Sequence, residues 1–395
     1  MILGIDASNI RRGGGVTHLV ELLRVTDPLA QGFTQVIVWG GQATLSQIED
    51  RHWLVKSHQS LLDKSLPYRT FWQRFKLSRL ARMTYCDVLF VPGGSYAGDF
   101  HPIVTMSRNL LPFEWHELRR FGWSWMTLKL LLLRFTQVRT FHRADGLIFL
   151  TRYALDVVMQ VIKTTAGKMA SVPHGIDERF VHPPRVQYPI SQFSADQPFR
   201  IVYVSIIDMY KHQWQVAAAV AQLRESGLPV ELDLVGPAYP PAMARLKKTL
   251  DCVDPTGVFV RYAGPLPHGE LHARYAEAEL CLFASSCENM PNILLEGMAS
   301  GLPIACSNCG PMPEVLGDAG VYFDPERPDD IARAIRELID SPELRARLAK
   351  ASFERAQAFS WRRCAHETFG FLAEVASTYP LEDGIVCVSQ KRAGG

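Results

Sequence analysis

The sequence predicts an α/β protein made of two doubly wound parallel-sheet domains that face each other across a cleft. Three observations lead there. Short apolar runs alternate with longer helical stretches, as strands covered on both faces by crossover helices must. These runs fall into two series, each with its own helices. Between the series, residues 182–198 are rich in proline and lack helical period, which marks a linker.

Taken in order, the first series of strands is expected at residues 2–6, 35–39, 87–92, 103–107, 146–151 and 170–173. The second is expected at 200–207, 230–236, 258–264, 280–285, 303–307 and 320–324. The first domain then covers residues 1–185, the linker 186–199 and the second domain 200–375, with its final helix able to pack back on the first. Residues 376–395 read as a tail, disordered at 390–395.

Composition agrees. Of 395 residues, 47% are apolar, enough for large cores and against disorder as the main state. Eight cysteines are too sparse for a disulfide framework. The net charge of +2 hides an asymmetry: residues 1–190 hold 23 Lys+Arg and 14 Asp+Glu, a net +9, which leaves −7 for the rest. A basic first half suggests an anionic partner. The start, MILGIDASN, enters a strand without a basic or long apolar leader, and the leucine run at 126–133 is interrupted by Lys129. That run is far short of the ~20 residues that span a bilayer. The expectation is a cytoplasmic protein.

Ligands of open parallel sheets bind beyond the carboxyl ends of the strands, so the loops there carry the chemistry. After the first strand come Gly13, Gly14 and Gly15, then a helical pattern. Such a loop lets backbone N–H groups approach an anion at a helix start, although its spacing is not a dinucleotide fingerprint and it has no Walker lysine. The richest segment is Ala284-Ser-Ser-Cys-Glu288-Asn289-Met290-Pro291-Asn292-Ile293-Leu-Leu-Glu296. Pro291 suits a helix start, and the N–H groups of Asn292 and Ile293 would seat a diphosphate. Glu288 and Glu296 flank that seat and could hold sugar hydroxyls on either side.

This segment, followed by Gly301-Leu-Pro-Ile-Ala and Pro313-Glu314-Val, resembles the retaining glycosyltransferases of family 4, with two Rossmann-like domains in the GT-B fold. Val172-Pro-His174-Gly-Ile-Asp177, Gly320-Val-Tyr-Phe-Asp-Pro325 and Phe359-Ser-Trp361 resemble further landmarks of that family. The resemblance covers nearly the whole chain, most closely residues 170–375. It implies that Glu288 contacts the transferred sugar, that Glu296 holds the nucleotide ribose, and that the backbone from Asn289 through Met290 and Asn292 to Ile293 holds the diphosphate. It also implies that Lys211 neutralises the leaving diphosphate, with Gly14 and Gly15 lending support from the first domain.

Two departures stand out. The family pairs its lysine with an arginine just after the strand, where this chain has Ile206; His212 or an arginine of the first domain would have to substitute. Where the family often has a histidine after the fourth strand, this chain reads Ser107-Arg108-Asn109, so the acceptor-side role cannot be carried over. Arg108 and Asn109 are still candidates for lining the cleft, and His174 is expected near it in a structural place.

No metal is expected, because the chain has no Asp-x-Asp pair, and Cys306 and Cys309 have CxxC spacing without a second pair for zinc. No other cofactor is implied; the donor substrate is a nucleotide-diphosphate sugar. Residues 68–82 carry five basic and no acidic residues with aromatics between them, and Phe121, Trp123 and Trp125 repeat the theme. Such a surface suits an anionic membrane, hence a peripheral place on its inner face, while no nucleic-acid motif accompanies the charge. The resulting expectation is retaining transfer of a sugar to a glycan or lipid-linked acceptor in cell-surface polysaccharide synthesis. A non-catalytic sugar-nucleotide-binding subunit and a GT-B epimerase are the alternatives.

Overall fold

The computed structural model describes residues 1–11 and 13–379. The first sheet contains β1 (Ile2–Asp6), β2 (Gln35–Gly40), β3 (Leu54–His58), β4 (Val88–Val91), β5 (Ile103–Met106), β6 (Gly146–Phe149) and β7 (Lys168–Ser171). They lie in the order β3-β2-β1-β4-β5-β6-β7, every pair parallel. The second contains β8 (Phe199–Val204), β9 (Val230–Val235), β10 (Val260–Gly264), β11 (Leu280–Phe283), β12 (Ile304–Ser307) and β13 (Val321–Phe323). Its order is β10-β9-β8-β11-β12-β13, again all parallel.

Central strands such as β4, β5, β6, β11 and β12 are buried at every position, because helices cover both faces. The edges differ. β3 has no apolar run and is half exposed, so it was not among the expected strands. β7, at the other edge, is Lys168–Ser171 rather than 170–173, and it too alternates between half-buried and exposed.

The strand order reverses between β1 and β4 in one sheet and between β8 and β11 in the other. Each reversal opens a crevice at the carboxyl ends of the strands. The glycine loop follows β1, Lys211 follows β8 and Glu288 follows β11, so both switch points hold candidate residues.

Two devices join the halves. The linker is strapped to the second domain: buried Arg345 donates to the carbonyls of Leu338 and Ile339 at 2.6 and 2.7 Å, and to Gln187 Oε1 at 3.1 Å. The last helix, Trp361–Thr378, returns to the first domain. There Phe369 meets Phe33 edge-on at 6.0 Å, Lys168 pairs with Glu374 at 2.7 Å, and Phe371 and Val375 close over Gly146. The helix ends at Thr378, three residues past the expected boundary, and the expected disorder at 390–395 lies outside the described residues.

Candidate active site

After β8 the chain turns at Asp208–Lys211, where Lys211 N–H donates to the Asp208 carbonyl at 3.1 Å. The Tyr203 hydroxyl donates to the Lys211 carbonyl at 2.8 Å, fixing the turn against the sheet. The Lys211 ammonium lies over the rings of Tyr210 and Phe283 at 5.0 and 5.2 Å and forms an ion pair with Glu288. Both side chains are largely withdrawn from solvent, 7% and 16% exposed, so the pair acts at reduced dielectric.

Beyond Glu288, Pro291 caps the helix Asn292–Ala299. The Asn292 N–H donates back to the Met290 carbonyl at 3.0 Å, so it does not point into the cleft as expected. The N–H of Ile293, in the first turn, still lacks an intrahelical acceptor. Met290 is buried, and Asn289 is clamped by the first domain: its Nδ2 donates to Ser107 Oγ at 3.0 Å and its carbonyl accepts from Thr151 Oγ1 at 2.9 Å. Asn292 Nδ2 lies 3.2 Å from His174 Nδ1.

Glu296 faces inward, 7% exposed. His268 Nε2 lies 3.0 Å from its Oε1, and the Tyr275 hydroxyl donates to its Oε2 at 3.4 Å. Burial raises the Glu296 carboxyl above its usual value, while the bond to Glu296 raises the His268 ring.

The first domain closes the cleft from the opposite side. Gly13 takes a positive φ of 66°, and Gly14 begins the helix Gly14–Val25. A Cβ on Gly15 would stand 2.8 Å from Arg108 Nη1, so a side chain there would push the guanidinium aside. His18 stacks on His174 at 4.7 Å, and both pack against Trp361. Burial pushes the His174 ring down to about 3 and His18 well below its usual value, so both are neutral. Asn109 is turned to local use, its Oδ1 accepting from Leu111 N–H at 3.1 Å.

His212 corrects one expectation. Burial lowers its ring to about 4, which makes it neutral at pH 7 and no substitute for a cation. It lies 2.9 Å from Ser286 Oγ, and Ser286 donates to Glu117 Oε2 at 2.7 Å across the interface. Arg120 donates to Glu117 at 2.7 Å and pairs with Glu326. A further seam forms where the Glu314 carboxylate accepts the N–H groups of Arg152 and Tyr153 at 2.8 and 2.9 Å, capping a first-domain helix from the second domain.

Sequence reasoning gave no role to Glu114, Glu117 or His18. Glu114 accepts from the Tyr153 hydroxyl at 3.0 Å, and burial, reinforced by Glu117 and Glu288, pushes its carboxyl up to about 7. A carboxylic acid raised in the fold stabilises it fully below its unfolded value near 4.3, and that contribution is lost as pH rises through 7. Glu114→Gln, which keeps the acceptor for Tyr153, should therefore raise stability at pH 8 by about 1–3 kcal/mol and change little at pH 4. Urea unfolding at several pH values measures this, and a pH-independent difference would contradict it.

Among the described residues no group of three or more His, Cys, Asp or Glu is placed to hold a metal ion, and no helix is long and apolar enough to cross a membrane. Cys306 and Cys309 are free thiols, the first buried in β12.

Two parallel-sheet domains of this kind, each with its strand order reversing at a switch point, make the GT-B fold, and sucrose-phosphate synthase from Thermosynechococcus elongatus shares it. It superposes with a TM-score of 0.71 at 18% identity, over 96% of this chain and 100% of that one. Residues 187–355, which include Lys211, Glu288 and Glu296, match the family model of the glycosyl transferases group 1. The O-antigen chain mannosyltransferase B of Escherichia coli is 34% identical over 110 residues, 28% of this chain and 29% of that protein. The GDP-mannose-dependent alpha-(1-6)-phosphatidylinositol dimannoside mannosyltransferase of Mycobacterium tuberculosis is 26% identical over 247 residues, 61% of each chain. The chain spans between 26% and 61% of the length of these and six further curated relatives that it matches. The resemblance to GT-B glycosyltransferases read from the sequence holds.

Proposed function

We propose that this chain transfers a hexose from a nucleoside-diphosphate sugar to a glycan or lipid-linked acceptor, with retention of configuration, in the synthesis of a cell-surface polysaccharide. The observation that carries this reading is the Lys211–Glu288 pair at a switch point, one turn of chain before the helix start at Asn292. Glu288 can accept from sugar hydroxyls, while Lys211 and the helix start face the charge that grows on the diphosphate as the glycosidic bond breaks. The leaving phosphate oxygen then takes the acceptor proton on the same face of the sugar. Glu296, 7% exposed on the same helix, is suited to the ribose hydroxyls. The GDP-mannose-dependent relative, beside a second mannosyltransferase, makes GDP-mannose the first donor to try.

In this reading the diphosphate charge is met by protein groups alone. Purified protein would be incubated with UDP-, GDP-, ADP- and dTDP-sugars in EDTA, and slow donor hydrolysis followed. One donor should be hydrolysed. Hydrolysis of none would overturn the reading, and loss in EDTA restored by Mg²⁺ or Mn²⁺ would show a metal requirement.

The acceptor side favours a peripheral place on an anionic membrane. On the helix Trp125–Arg143, Trp125, Leu128, Leu132 and Phe135 recur at three- and four-residue spacing and all are exposed, with Trp123 just before them. Phe71 and Phe75 are exposed on the neighbouring helical stretch, among exposed Arg74, Lys76 and Arg79. Arg69 does not belong to this surface: it donates to the Ser8 carbonyl and Asn9 Oδ1 at 3.1 and 3.3 Å. Each basic residue near an anionic leaflet contributes about 1 kcal/mol. Replacing Arg74, Lys76 and Arg79 by Gln should thus weaken binding to phosphatidylserine-containing vesicles by roughly a hundredfold, as should high salt. Equal binding by variant and parent would make this a solvated face.

A further inference from the structure

Arg108 lies two residues past the end of β5, on the wall of the cleft. Among the described residues it makes no hydrogen bond and no ion pair, and its Nε is sealed from solvent without a partner. Its guanidinium rests against Gly14 and Gly15, with His18 and His174 beside it, and no carboxylate offsets its burial. A guanidinium cannot shed its proton to relieve such a position, so a half-buried arginine with its Nε sealed and no matching carboxylate points to an anion that arrives from outside.

The surroundings agree. His18 leaves both ring nitrogens without partners and His174 leaves Nε2, and a neutral imidazole has one N–H to give an anion; Asn289 and Asn292 each leave Oδ1, an acceptor suited to a sugar hydroxyl and not to the anion itself. These atoms come from both domains and lie between two helix starts, Gly14 and Asn292. The interface places Arg108 close to Asn289, because Ser107, its chain neighbour, accepts from Asn289 Nδ2 at 3.0 Å. Burial keeps both histidines neutral, so among the described residues packed together here Arg108 carries the positive charge.

Charge balance gives the occupant. Lys211 is already matched by Glu288, so that pair adds no net charge. A helix start supplies only about half a charge. Ile206 supplies none, and His212 is neutral. A nucleoside diphosphate needs more.

We infer that Arg108 is the cation of the donor diphosphate site, reaching from the first domain to do what an arginine at the position of Ile206 would do from the second. This rests on the nucleoside-diphosphate-sugar reading. The planar guanidinium can hold two phosphate oxygens at once, and its place on the first domain makes the diphosphate a bridge between the domains.

The test uses the full chain, with calorimetry and thermal unfolding in the presence of inorganic pyrophosphate, UDP, GDP, ADP or dTDP, and the matching nucleosides. The parent should bind pyrophosphate and at least one nucleoside diphosphate. Arg108→Gln should bind both at least tenfold more weakly, leave nucleoside affinity unchanged, and melt at a higher temperature without ligand, since an unmatched charge is gone. Arg108→Lys should recover part of the affinity. Unchanged diphosphate affinity in Arg108→Gln, or a lower melting temperature without ligand, would overturn the assignment and make Arg108 a structural strut. If the parent binds pyrophosphate through Arg108 but none of the four nucleotides, the donor reading fails while the anion site stands. Binding of neither removes both.

Discussion

Replacing Lys211 with alanine is expected to lower turnover by about a hundredfold or more, the usual size for losing a group aimed at charge that develops in the transition state. Donor affinity should fall less, because the further charge that develops on the diphosphate appears only as the bond breaks. The variant carries a second effect. Lys211 is 7% exposed and paired, so its removal leaves the Glu288 carboxylate buried without a partner, which commonly costs 3–5 kcal/mol of stability. The two effects separate in the double variant Lys211→Met with Glu288→Gln. It should unfold close to the parent in urea yet remain inactive. Recovery of activity along with stability would mean that the pair only holds the fold together.

Glu296→Ala should weaken binding of the free nucleoside diphosphate by roughly 1.5–3 kcal/mol, the range for a hydrogen bond to a charged group. Calorimetry measures it. The alanine also leaves the Tyr275 hydroxyl without the carboxylate it donates to, so some loss of stability is expected. Glu296→Gln keeps that acceptor and should still bind more weakly than the parent. Unchanged affinity in the folded glutamine variant would remove Glu296 from the ribose.

Strands buried on both faces are legible in the sequence, because an unbroken apolar run is their local signature. β3 escaped, since Leu54-Val-Lys-Ser-His58 lies at an edge and half of it meets water. Glu288 and Glu296 are legible in the loop and helix that follow a strand, and Lys211 only through the resemblance of its segment to the family's lysine motif. Glu114, Glu117 and His18 carried no such signal. Each is a single residue whose meaning comes from a partner far along the chain: Tyr153 for Glu114, Ser286 for Glu117, His174 for His18. The protonation states of His212 and His174 were equally hidden, because burial is a property of the assembled interface and not of the neighbouring letters.

The return of the Trp361–Thr378 helix to the first sheet has a practical meaning for recombining this protein with others of its fold. A hybrid cut once, in the linker, would bring a foreign final helix against Phe33, Lys168 and Gly146, whose partners are Phe369, Glu374, Phe371 and Val375. An exchange of the second domain therefore needs two crossovers, one in the linker and one just before Trp361. The first domain then keeps its own first strand and its own final helix, and the exchanged piece is an insert flanked by them.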